Sequence, residues 1–304
     1  MKKISIILTT YNSGNQLQEV LDSINNQEGK GELFEIELIV VDDCSNDNTK
    51  DILLENGIDF QVTNQNTGGP NHGRNRALKL CTGQFICIAD HDDIWFTNKI
   101  KKLLEVSHLA PIVTSGYVLS DNSSSKKVFR VSKSLDKKNY IKYLKNETFL
   151  SKLKKSKVGQ QTYLGSILFA SSLKHILFEE EYGMIDFDWV LKLFHNQHSV
   201  ELCSALYLRK VEGKNLSLNE QYRINDYNYS LRTISSYKGK YPDEVKSAEK
   251  RINGSFGRYY YLIGNMKLSR KYLMKSTIEL KTFLYIISSY VGPKIVKKYF
   301  KIFG

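Results

Sequence analysis

The chain contains 304 residues, carries a formal net charge of +12 and has an isoelectric point of about 9.3. This length fits one large α/β domain with additions or two smaller domains, and the positive charge suggests an anionic partner such as a nucleic acid, a phosphorylated substrate or a membrane surface. The sequence has no uninterrupted apolar stretch long enough to cross a bilayer, and the short apolar run at its N-terminus predicts a buried strand rather than a signal peptide.

Residues 3–89 alternate between predicted strands and predicted helices. Apolar runs predict strands at residues 3–9, 34–41, 60–63 and 84–89, and helical spacing or capping residues predict helices between them. This alternation predicts a mostly parallel central sheet with helices on both faces. Ligands bind beyond the carboxyl ends of the strands in such a sheet, where residues 9–12, 42–47 and 90–93 would converge.

The elements after residue 95 are less regular. The pattern predicts a helix at 98–106, a strand at 111–121, a loop at 121–127, a helix within 139–155, a strand or buried turn at 162–170, a helix within 183–194, a strand at 199–208 and a loop at 209–218. Tyrosine-rich helical patterns dominate from residue 226 onward. We therefore divide the chain into an α/β domain at residues 1–217 and a helical, basic extension at residues 218–304.

The strand predicted at 84–89 ends in three closely spaced carboxylates, Asp90, Asp92 and Asp93. Carboxylates this close repel each other unless a positive charge lies among them. Asp90 and Asp92 are hard oxygen ligands of the kind that suits Mg²⁺ or Mn²⁺ when the cation is shared with substrate phosphates. The alternative is a polar turn, and Asp93 in particular is predicted to cap a helix that begins at Ile94.

Two further polar segments follow predicted strands. Asp42 and Asp43 could accept hydrogen bonds from a base or a ribose, or they could form a turn that caps the next helix. The segment at 66–77 could cradle a phosphate through its backbone N–H groups, with Arg74 as a bidentate partner of a diphosphate. The alternative for this segment is a surface loop with a solvated arginine.

An acidic pair lies at the start of the helix predicted within 183–194. Asp186 and Asp188 are favourable near a helix N-terminus on dipole grounds alone, and either could instead be a general base for an acceptor hydroxyl. Trp189 could form the wall of a sugar site or pack in the core.

Taken in chain order, six segments resemble the family 2 glycosyltransferases, which are inverting GT-A enzymes common in bacterial surface-polysaccharide synthesis. The segments are ISIILTTYN, IVVDDCSNDNT, NTGGPNHGRNRAL, GQFICIADHDDIW, YLGSILF and IDFDWVLKL. Each motif is weak alone, whereas the ordered set, which covers residues 3–217, is specific. The resemblance implies a GT-A fold with a donor half at about residues 1–95 and an acceptor half at 96–217.

The resemblance also implies a role for each matching residue. Thr9, Tyr11 and Asp43 would hold the nucleoside, with Asp42 and Arg74 as helpers. Asp90 and Asp92 would be the DxD pair, with Asp92 the direct ligand of Mn²⁺ or Mg²⁺, and Asp186 would be the base. Ile185 stands where the family has a glutamate, which leaves Asp188 as a rival base. No histidine follows Arg209, where the family often has one near the metal or diphosphate.

The partners implied by the resemblance are a UDP- or dTDP-sugar donor and a glycan or lipid-linked acceptor, without nucleic acid. The alternatives are a nucleotidyltransferase on a similar fold and a basic nucleic-acid-binding protein. The nucleotidyltransferase lacks support because no glycine-rich loop with a lysine or arginine follows the first strand. The nucleic-acid-binding protein lacks support because the lysines avoid the acidic strand ends and cluster in two later segments.

The C-terminal segment TFLYIISSYVGPKIVKKYFKIFG is apolar on one face and bears lysines on the other. A basic amphipathic segment of this kind can bind an anionic membrane surface, which would suit a lipid-linked acceptor. Packing on the domain and a contact within a homo-oligomer are the alternatives. We therefore expect a cytoplasmic protein held peripherally at the inner face of the cell membrane.

Overall fold

The computed structural model describes residues 1–121, 126–134, 138–156, 158–211 and 219–291. Most of the loop predicted at 121–127, most of the loop predicted at 209–218 and the basic C-terminal residues from 292 lie outside the described residues.

The described residues form ten strands and ten α-helices, with short 3₁₀ turns at Leu164–Ser166 and Ser171–Leu173. The strands are β1 (Lys2–Thr10), β2 (Phe34–Asp42), β3 (Phe60–Val62), β4 (Phe85–Ala89), β5 (Asp93–Trp95), β6 (Ile112–Asp121), β7 (Lys126–Arg130), β8 (Tyr140–Tyr143), β9 (Leu168–Ala170) and β10 (Ser199–Val211). The helices are α1 (Leu17–Asn25), α2 (Thr49–Glu55), α3 (Asn71–Leu80), α4 (Lys99–Val106), α5 (Glu147–Leu153), α6 (Phe187–Phe194), α7 (Glu220–Ser235), α8 (Pro242–Ile263), α9 (Met266–Leu273) and α10 (Leu280–Ser288).

The strands belong to one sheet whose main path runs β3-β2-β1-β4-β9-β6-β10-β5, with β7 paired to β6 and β8 to β10. The neighbours β3, β2, β1 and β4 are parallel, whereas β9 is antiparallel to both β4 and β6. The parallel half brings the carboxyl ends of its strands to one edge, which we call the carboxyl edge. This architecture confirms the predicted α/β fold.

The core lies between this sheet and its helices. β1 is buried on both faces from Ile4 to Leu8, as expected of a parallel strand that helices cover. α1 packs against it because Leu17, Val20, Leu21 and Ile24 recur at the spacing of one helical face. Full burial of each such side chain contributes about 1.5–3 kcal/mol, so this face holds α1 on the sheet.

Two of the elements predicted after residue 95 differ in the structure. The helix predicted within 139–155 is instead β8 followed by α5, because Tyr140–Tyr143 pairs antiparallel with Ser199–Leu202 of β10. Asn146 adopts a left-handed conformation between them, with φ of 66°. Residues 209–211, predicted as loop, extend β10 because they continue its pairing with β6.

The chain divides into two compact units, one of residues 1–149 and 158–215 that contains the sheet, and one of residues 150–157 and 216–304. The second unit has its own aromatic cluster, in which Phe256 stacks on Tyr227 with 4.3 Å between ring centroids and meets Tyr272 edge-on. Within the described residues, no helix is both long and apolar enough to cross a membrane. The functional division after residue 217 stays a prediction.

Candidate active site

The parallel strands bring distant polar segments to the carboxyl edge. Thr10 at the end of β1 is in register with Asp42 at the end of β2, and Asp42 is in register with Val62 at the end of β3. Leu8 of β1 is in register with Ala89, the last residue of β4. The segments that follow these four strands therefore meet at this edge.

Asp42 and Asp43 are buried and engaged in hydrogen bonds. Asp42 accepts from the Thr10 hydroxyl at 3.0 Å, the Ser45 amide at 2.9 Å and the Ser45 hydroxyl at 2.5 Å. Asp43 accepts from the Thr63 hydroxyl at 2.9 Å and from the Thr67 amide and hydroxyl at 3.0 Å. Asp42 is fully buried and ties the ends of β1 and β2 together, and its role as a helper at the nucleoside stays a prediction.

Thr9 and Tyr11 flank the end of β1 and differ in exposure. Thr9 is buried, whereas the Tyr11 side chain is 46% exposed. Asn12, which follows, has a left-handed φ of 47°, donates its amide to the Ser45 hydroxyl at 2.9 Å and accepts from the Asn46 amide at 3.0 Å. This contact fixes the loop that presents Tyr11, and the nucleoside-binding roles of Thr9, Tyr11 and Asp43 stay predictions.

Arg74 of α3 forms an ion pair with Asp90, with 2.8 Å between Nη2 and Oδ1. Its Nη1 donates to Asn71 Oδ1 at 3.1 Å, and its guanidinium lies 5.4 Å from the ring centroid of Phe178. The Arg74 side chain is only 7% exposed. The alternative of a solvated surface arginine is therefore wrong, because Arg74 is buried and held beside the acidic turn that follows β4.

Asp90 and Asp92 are partly exposed on this turn. Burial raises the pKa of Asp92, the Asp90 carboxylate raises it further, and the nearby His91 and Arg209 side chains oppose the shift. Two carboxylates that repel each other at a partly exposed turn are suited to hold a cation between them.

The donor set fits Mn²⁺ or Mg²⁺ that shares substrate phosphates. These ions take one or two protein carboxylates and complete their coordination with waters and phosphate oxygens. Within the described part of the chain, no group of three or more His, Cys, Asp and Glu side chains is placed to hold a metal. Asp90 and Asp92 are the two carboxylates at the carboxyl edge that match this donor set.

Asp93 does not cap a helix, which corrects the prediction. Ile94 and its neighbours pair with Tyr207–Arg209 of β10 as strand β5, and α4 begins only at Lys99. Burial raises the pKa of Asp93 well above its ordinary value, and the charges of Asp90 and Asp92 add to this effect. A side chain at Gly165 would place its Cβ 2.6 Å from Asp93 Oδ2, so a larger residue there would force the buried Asp93 carboxylate to move.

Lys99 is a fully buried cation beneath the acidic turn. It donates to the Gly165 carbonyl oxygen and lies over the rings of Trp95 at 3.9 Å and Tyr207 at 4.6 Å. Burial lowers the pKa of Lys99 to about 8. Lys99, Trp95 and Tyr207 thus form a buried cluster next to the acidic turn that follows β4.

Asp186 and Asp188 lie at the start of α6 in different settings. Asp186 is the half-buried residue just before the helix. Asp188 is buried, and its Oδ2 lies 2.7 Å from Lys192 Nζ one turn later. Trp189 is fully buried, stacks on Phe178 with 4.4 Å between ring centroids and is therefore a core residue, which corrects its predicted place at the substrate.

Two residues with no individually predicted role, Asn71 and Glu179, connect the segment carrying Arg74 to the segment that precedes Asp186. Asn71 Nδ2 donates to Glu179 Oε1 at 3.1 Å, and both side chains are buried. The available signals were an asparagine inside a predicted loop and the three consecutive glutamates at 179–181. Nothing in the sequence indicates which of the three glutamates points inward.

The chain is similar to a known protein family and to several curated relatives. A family model described as "Glycosyl transferase family 2" matches residues 5–176. The poly(ribitol-phosphate) beta-N-acetylglucosaminyltransferase TarS of Staphylococcus aureus is 40% identical over 97 residues, which are 31% of this chain and 17% of TarS. The matches to TarS, to the poly(ribitol-phosphate) beta-glucosyltransferase of Bacillus spizizenii and to the putative teichuronic acid biosynthesis glycosyltransferase TuaG of Bacillus subtilis cover between 15% and 40% of the length of those relatives.

Solved structures share the fold. The crystal structure of residues 1–349 of S. aureus TarS in complex with UDP-GlcNAc has a TM-score of 0.62 at 22% sequence identity, over 94% of this chain and 79% of that one. The mannosyltransferase PcManGT from Pyrobaculum calidifontis, in complex with GDP-Man and Mn²⁺, has a TM-score of 0.57 at 14% identity, over 98% of this chain and 87% of that one. At these identities the likeness establishes the GT-A fold alone, which confirms the predicted architecture.

Proposed function

Because this chain belongs to glycosyl transferase family 2 and is a glycosyltransferase, we propose that it transfers a sugar from a nucleotide-diphosphate donor to a glycan or lipid-linked acceptor, with inversion. The observation that carries the proposal is the ion pair of Arg74 with Asp90, next to Asp92, at the carboxyl edge. The proposed setting is bacterial surface-polysaccharide synthesis, and the family match supports this function over a nucleotidyltransferase or a nucleic-acid-binding protein.

The proposed donor is a UDP- or dTDP-sugar whose nucleoside lies against Tyr11 and Thr9, near Asp43. Tyr11 offers an exposed ring at the carboxyl edge, and the hydrogen bonds from Thr63 and Thr67 hold the Asp43 carboxylate in place. UDP-GlcNAc is the first donor to test because the TarS structure contains it.

Asp90 and Asp92 are the residues we propose to hold Mn²⁺ or Mg²⁺. When bound, the cation would neutralise the negative charge that develops on the departing nucleotide diphosphate. Arg74 fixes the orientation of Asp90 through the contact at 2.8 Å. Removal of divalent metal with EDTA should accordingly abolish turnover, and added Mn²⁺ should restore it.

Asp186 is our proposed general base. Asp188 is less suited to this role because it is buried and paired with Lys192. Asp186 would accept the proton of the acceptor hydroxyl as the hydroxyl oxygen bonds to the anomeric carbon and the bond from that carbon to the phosphate oxygen breaks. Attack from the face opposite the leaving nucleotide inverts the anomeric configuration.

The test is a panel of nucleotide sugars incubated with the protein and Mn²⁺, with nucleotide release as the measurement. Wild type should release nucleotide from at least one donor, Asp92→Ala should not, and Asp51→Ala on the exposed side of α2 is the matched control. Absence of turnover and of nucleotide binding with every donor, together with tight binding to DNA, would contradict the proposal.

We also propose that the exposed face of α10 contacts an anionic membrane surface. Leu280, Phe283, Leu284 and Ile287 are between 42% and 76% exposed and share one face of the helix. Glu279 is the sole acidic residue from Lys267 to the C-terminus of the sequence. An apolar helical face in a strongly basic segment favours the interface of a membrane that contains anionic lipids.

Vesicle co-sedimentation tests this membrane contact. Binding should require phosphatidylglycerol in phosphatidylcholine vesicles and fall steeply in Phe283→Glu/Leu284→Glu, while Leu54→Glu, which changes an exposed leucine of α2, should bind like wild type. The membrane proposal fails if wild type does not bind the vesicles and sedimentation velocity shows a dimeric wild type but a monomeric double variant. The exposed face of α10 would then be a contact between copies of the chain.

A further inference from the structure

Glu179 is a buried carboxylate that organises the backbone ahead of Asp186. Its Oε2 accepts from the amides of Tyr182 at 2.8 Å and Gly183 at 3.4 Å. Its Oε1 accepts from the amides of Met184 at 3.0 Å and Ile185 at 2.8 Å. One side chain therefore fixes four consecutive amides of residues 179–186, which we call the base loop.

Asn71 connects the base loop to α3. Its side-chain Nδ2 donates to Glu179 Oε1 and to the Ile185 carbonyl oxygen, each at 3.1 Å. Its backbone N–H donates to the Gly183 carbonyl oxygen at 2.9 Å. The backbones also touch, since a Cβ on Gly69 would lie 2.3 Å from the Gly183 oxygen. Asn71 is fully buried, so these contacts are shielded from water.

The same asparagine reaches the acidic turn through Arg74. Asn71 Oδ1 accepts from Arg74 Nη1 at 3.1 Å, and Arg74 Nη2 pairs with Asp90 Oδ1 at 2.8 Å. A continuous chain of contacts thus runs from Ile185, next to Asp186, through Glu179, Asn71 and Arg74 to Asp90. Its links are buried or charge-assisted, which are the settings in which hydrogen bonds are strongest.

We propose that Glu179 and Asn71 are positioning residues that fix the distance between Asp186 and the Asp90–Asp92 turn. The inference rests on the proposed function, in which Asp186 is the base and the turn binds the donor diphosphate. The chemistry needs this spacing because the acceptor hydroxyl must be held by the base and in line with the departing phosphate. A misplacement of about 1 Å at such a site can cost on the order of 10²-fold in rate.

Glu179→Gln is the primary test, because it keeps the shape of the side chain but leaves at least one base-loop amide without its acceptor. With the donor that wild type turns over fastest, kcat should fall about 10- to 100-fold. The affinity for UDP with Mn²⁺, measured by calorimetry, should stay within threefold of wild type, because Glu179 does not contact the turn. Glu180→Gln is the matched control, since the Glu180 side chain is 47% exposed and contacts Asn75 and His72 instead.

Two results would overturn the inference. A kcat of Glu179→Gln within twofold of wild type would mean that the base loop is set by other contacts. A parallel loss of kcat and UDP affinity would mean that Glu179 supports the donor site as a whole rather than the spacing of the base.

A measurement that needs no turnover separates this inference from the proposed function. In Asn71→Ala, hydrogen exchange of the amides from Tyr182 to Ile185 should accelerate at least tenfold more than exchange of the buried amides of β1, and in Glu180→Gln it should not. Unchanged exchange in Asn71→Ala would overturn the link between α3 and the base loop. If wild type turns over no donor but exchange accelerates as expected, the proposed function fails while the structural link stands.

Discussion

Two acidic pairs follow parallel strands at the carboxyl edge, and their surroundings differ. In the β2 pair, Asp42 and Asp43, every carboxylate oxygen accepts a hydrogen bond from a nearby threonine or serine. In the β4 pair, Asp90 and Asp92, Arg74 pairs with Asp90, while burial and the Asp90 charge raise the pKa of Asp92. Similar sequences, a buried strand followed by two acids, thus produce a satisfied pair and a repelled one.

This difference in hydrogen bonding separates the acids that stabilise the fold from the acids that are available to a ligand. A buried carboxylate with its full set of donors stabilises the native state, and removing it leaves those donors without partners. A carboxylate held near another negative charge destabilises the folded protein through repulsion, and a cation bound between the two charges relieves that repulsion. We therefore expect loss of stability from changes in the β2 pair and loss of activity from changes in the β4 pair.

The largest expected effect is on turnover in Asp92→Asn. We expect nucleotide release to fall by about 10³-fold, because one of two proposed metal ligands and its charge are lost. The thermal unfolding midpoint should stay the same or rise, because a repelled carboxylate has been neutralised. A variant that keeps its activity or unfolds well below wild type would place Asp92 with the β2 pair and break the comparison.

The start of α6 extends the contrast to a third acidic pair. Asp186→Asn should lower kcat by about 10²- to 10⁴-fold with UDP affinity retained, because a general base is lost. Asp188→Asn should lose its ion pair with Lys192 and destabilise the protein by about 1 kcal/mol, with kcat nearly unchanged. Steady-state kinetics and calorimetry on both variants decide the base, and the reverse ranking would assign that role to Asp188.

A smaller effect, on stability, is expected in the β2 pair. Asp42→Ala removes the acceptor of hydrogen bonds from Thr10 and Ser45, so the free energy of unfolding should fall by about 3 kcal/mol in urea titrations. The fraction that remains folded should keep its kcat, because the Asp42 carboxylate is fully buried and its oxygens are engaged by Thr10 and Ser45. Asp59→Ala, at an exposed aspartate, is the control. A stable but inactive Asp42→Ala would show that this acid acts at the substrate after all.

The sequence predicts the parallel half of the fold well because its signals are local. Uninterrupted apolar runs define β1, β2 and β4, and the rule that ligands bind at strand carboxyl ends is enough to single out Asp90 and Asp92. The two acidic pairs look alike in sequence. The partners that distinguish them, Thr63 and Thr67 for Asp43 and Arg74 for Asp90, lie in other segments of the chain. Only the fold shows which pair is satisfied.

Elements that depend on distant pairing could not be predicted. The local pattern predicts that Ile94 begins a helix, but Ile94 pairs with β10, which lies more than a hundred residues later in the chain. Tyr140–Tyr143 likewise forms a strand because it pairs with β10. Trp189 illustrates a second limit, since an aromatic residue next to an acid suits a sugar site and a core equally until its neighbours Phe178 and Ile176 are known.

The smallest expected effect concerns Glu37 of β2, a satisfied acid away from the carboxyl edge. Burial alone would raise the pKa of Glu37, but hydrogen bonds from Lys3, Ser5 and Thr82 outweigh it and lower the pKa from 4.5 to about 2. Because the folded-state pKa lies below the unfolded one, Glu37 contributes its full stability above about pH 4.5 and loses it as the pH falls toward 2. With partial solvent screening this contribution is about 1–2 kcal/mol.

Glu37→Gln should therefore lower the free energy of unfolding by that amount at pH 6 and make it less dependent on pH between 4.5 and 2, as measured by urea titrations across this range. The same titrations on Asp92→Asn sharpen the comparison of acids. The native state there loses a carboxylate whose pKa is raised, and such a group costs stability at neutral pH, so the sign of the change should be opposite. Equal signs in the two variants would mean that hydrogen-bond satisfaction does not separate the structural acids from the functional ones in this protein.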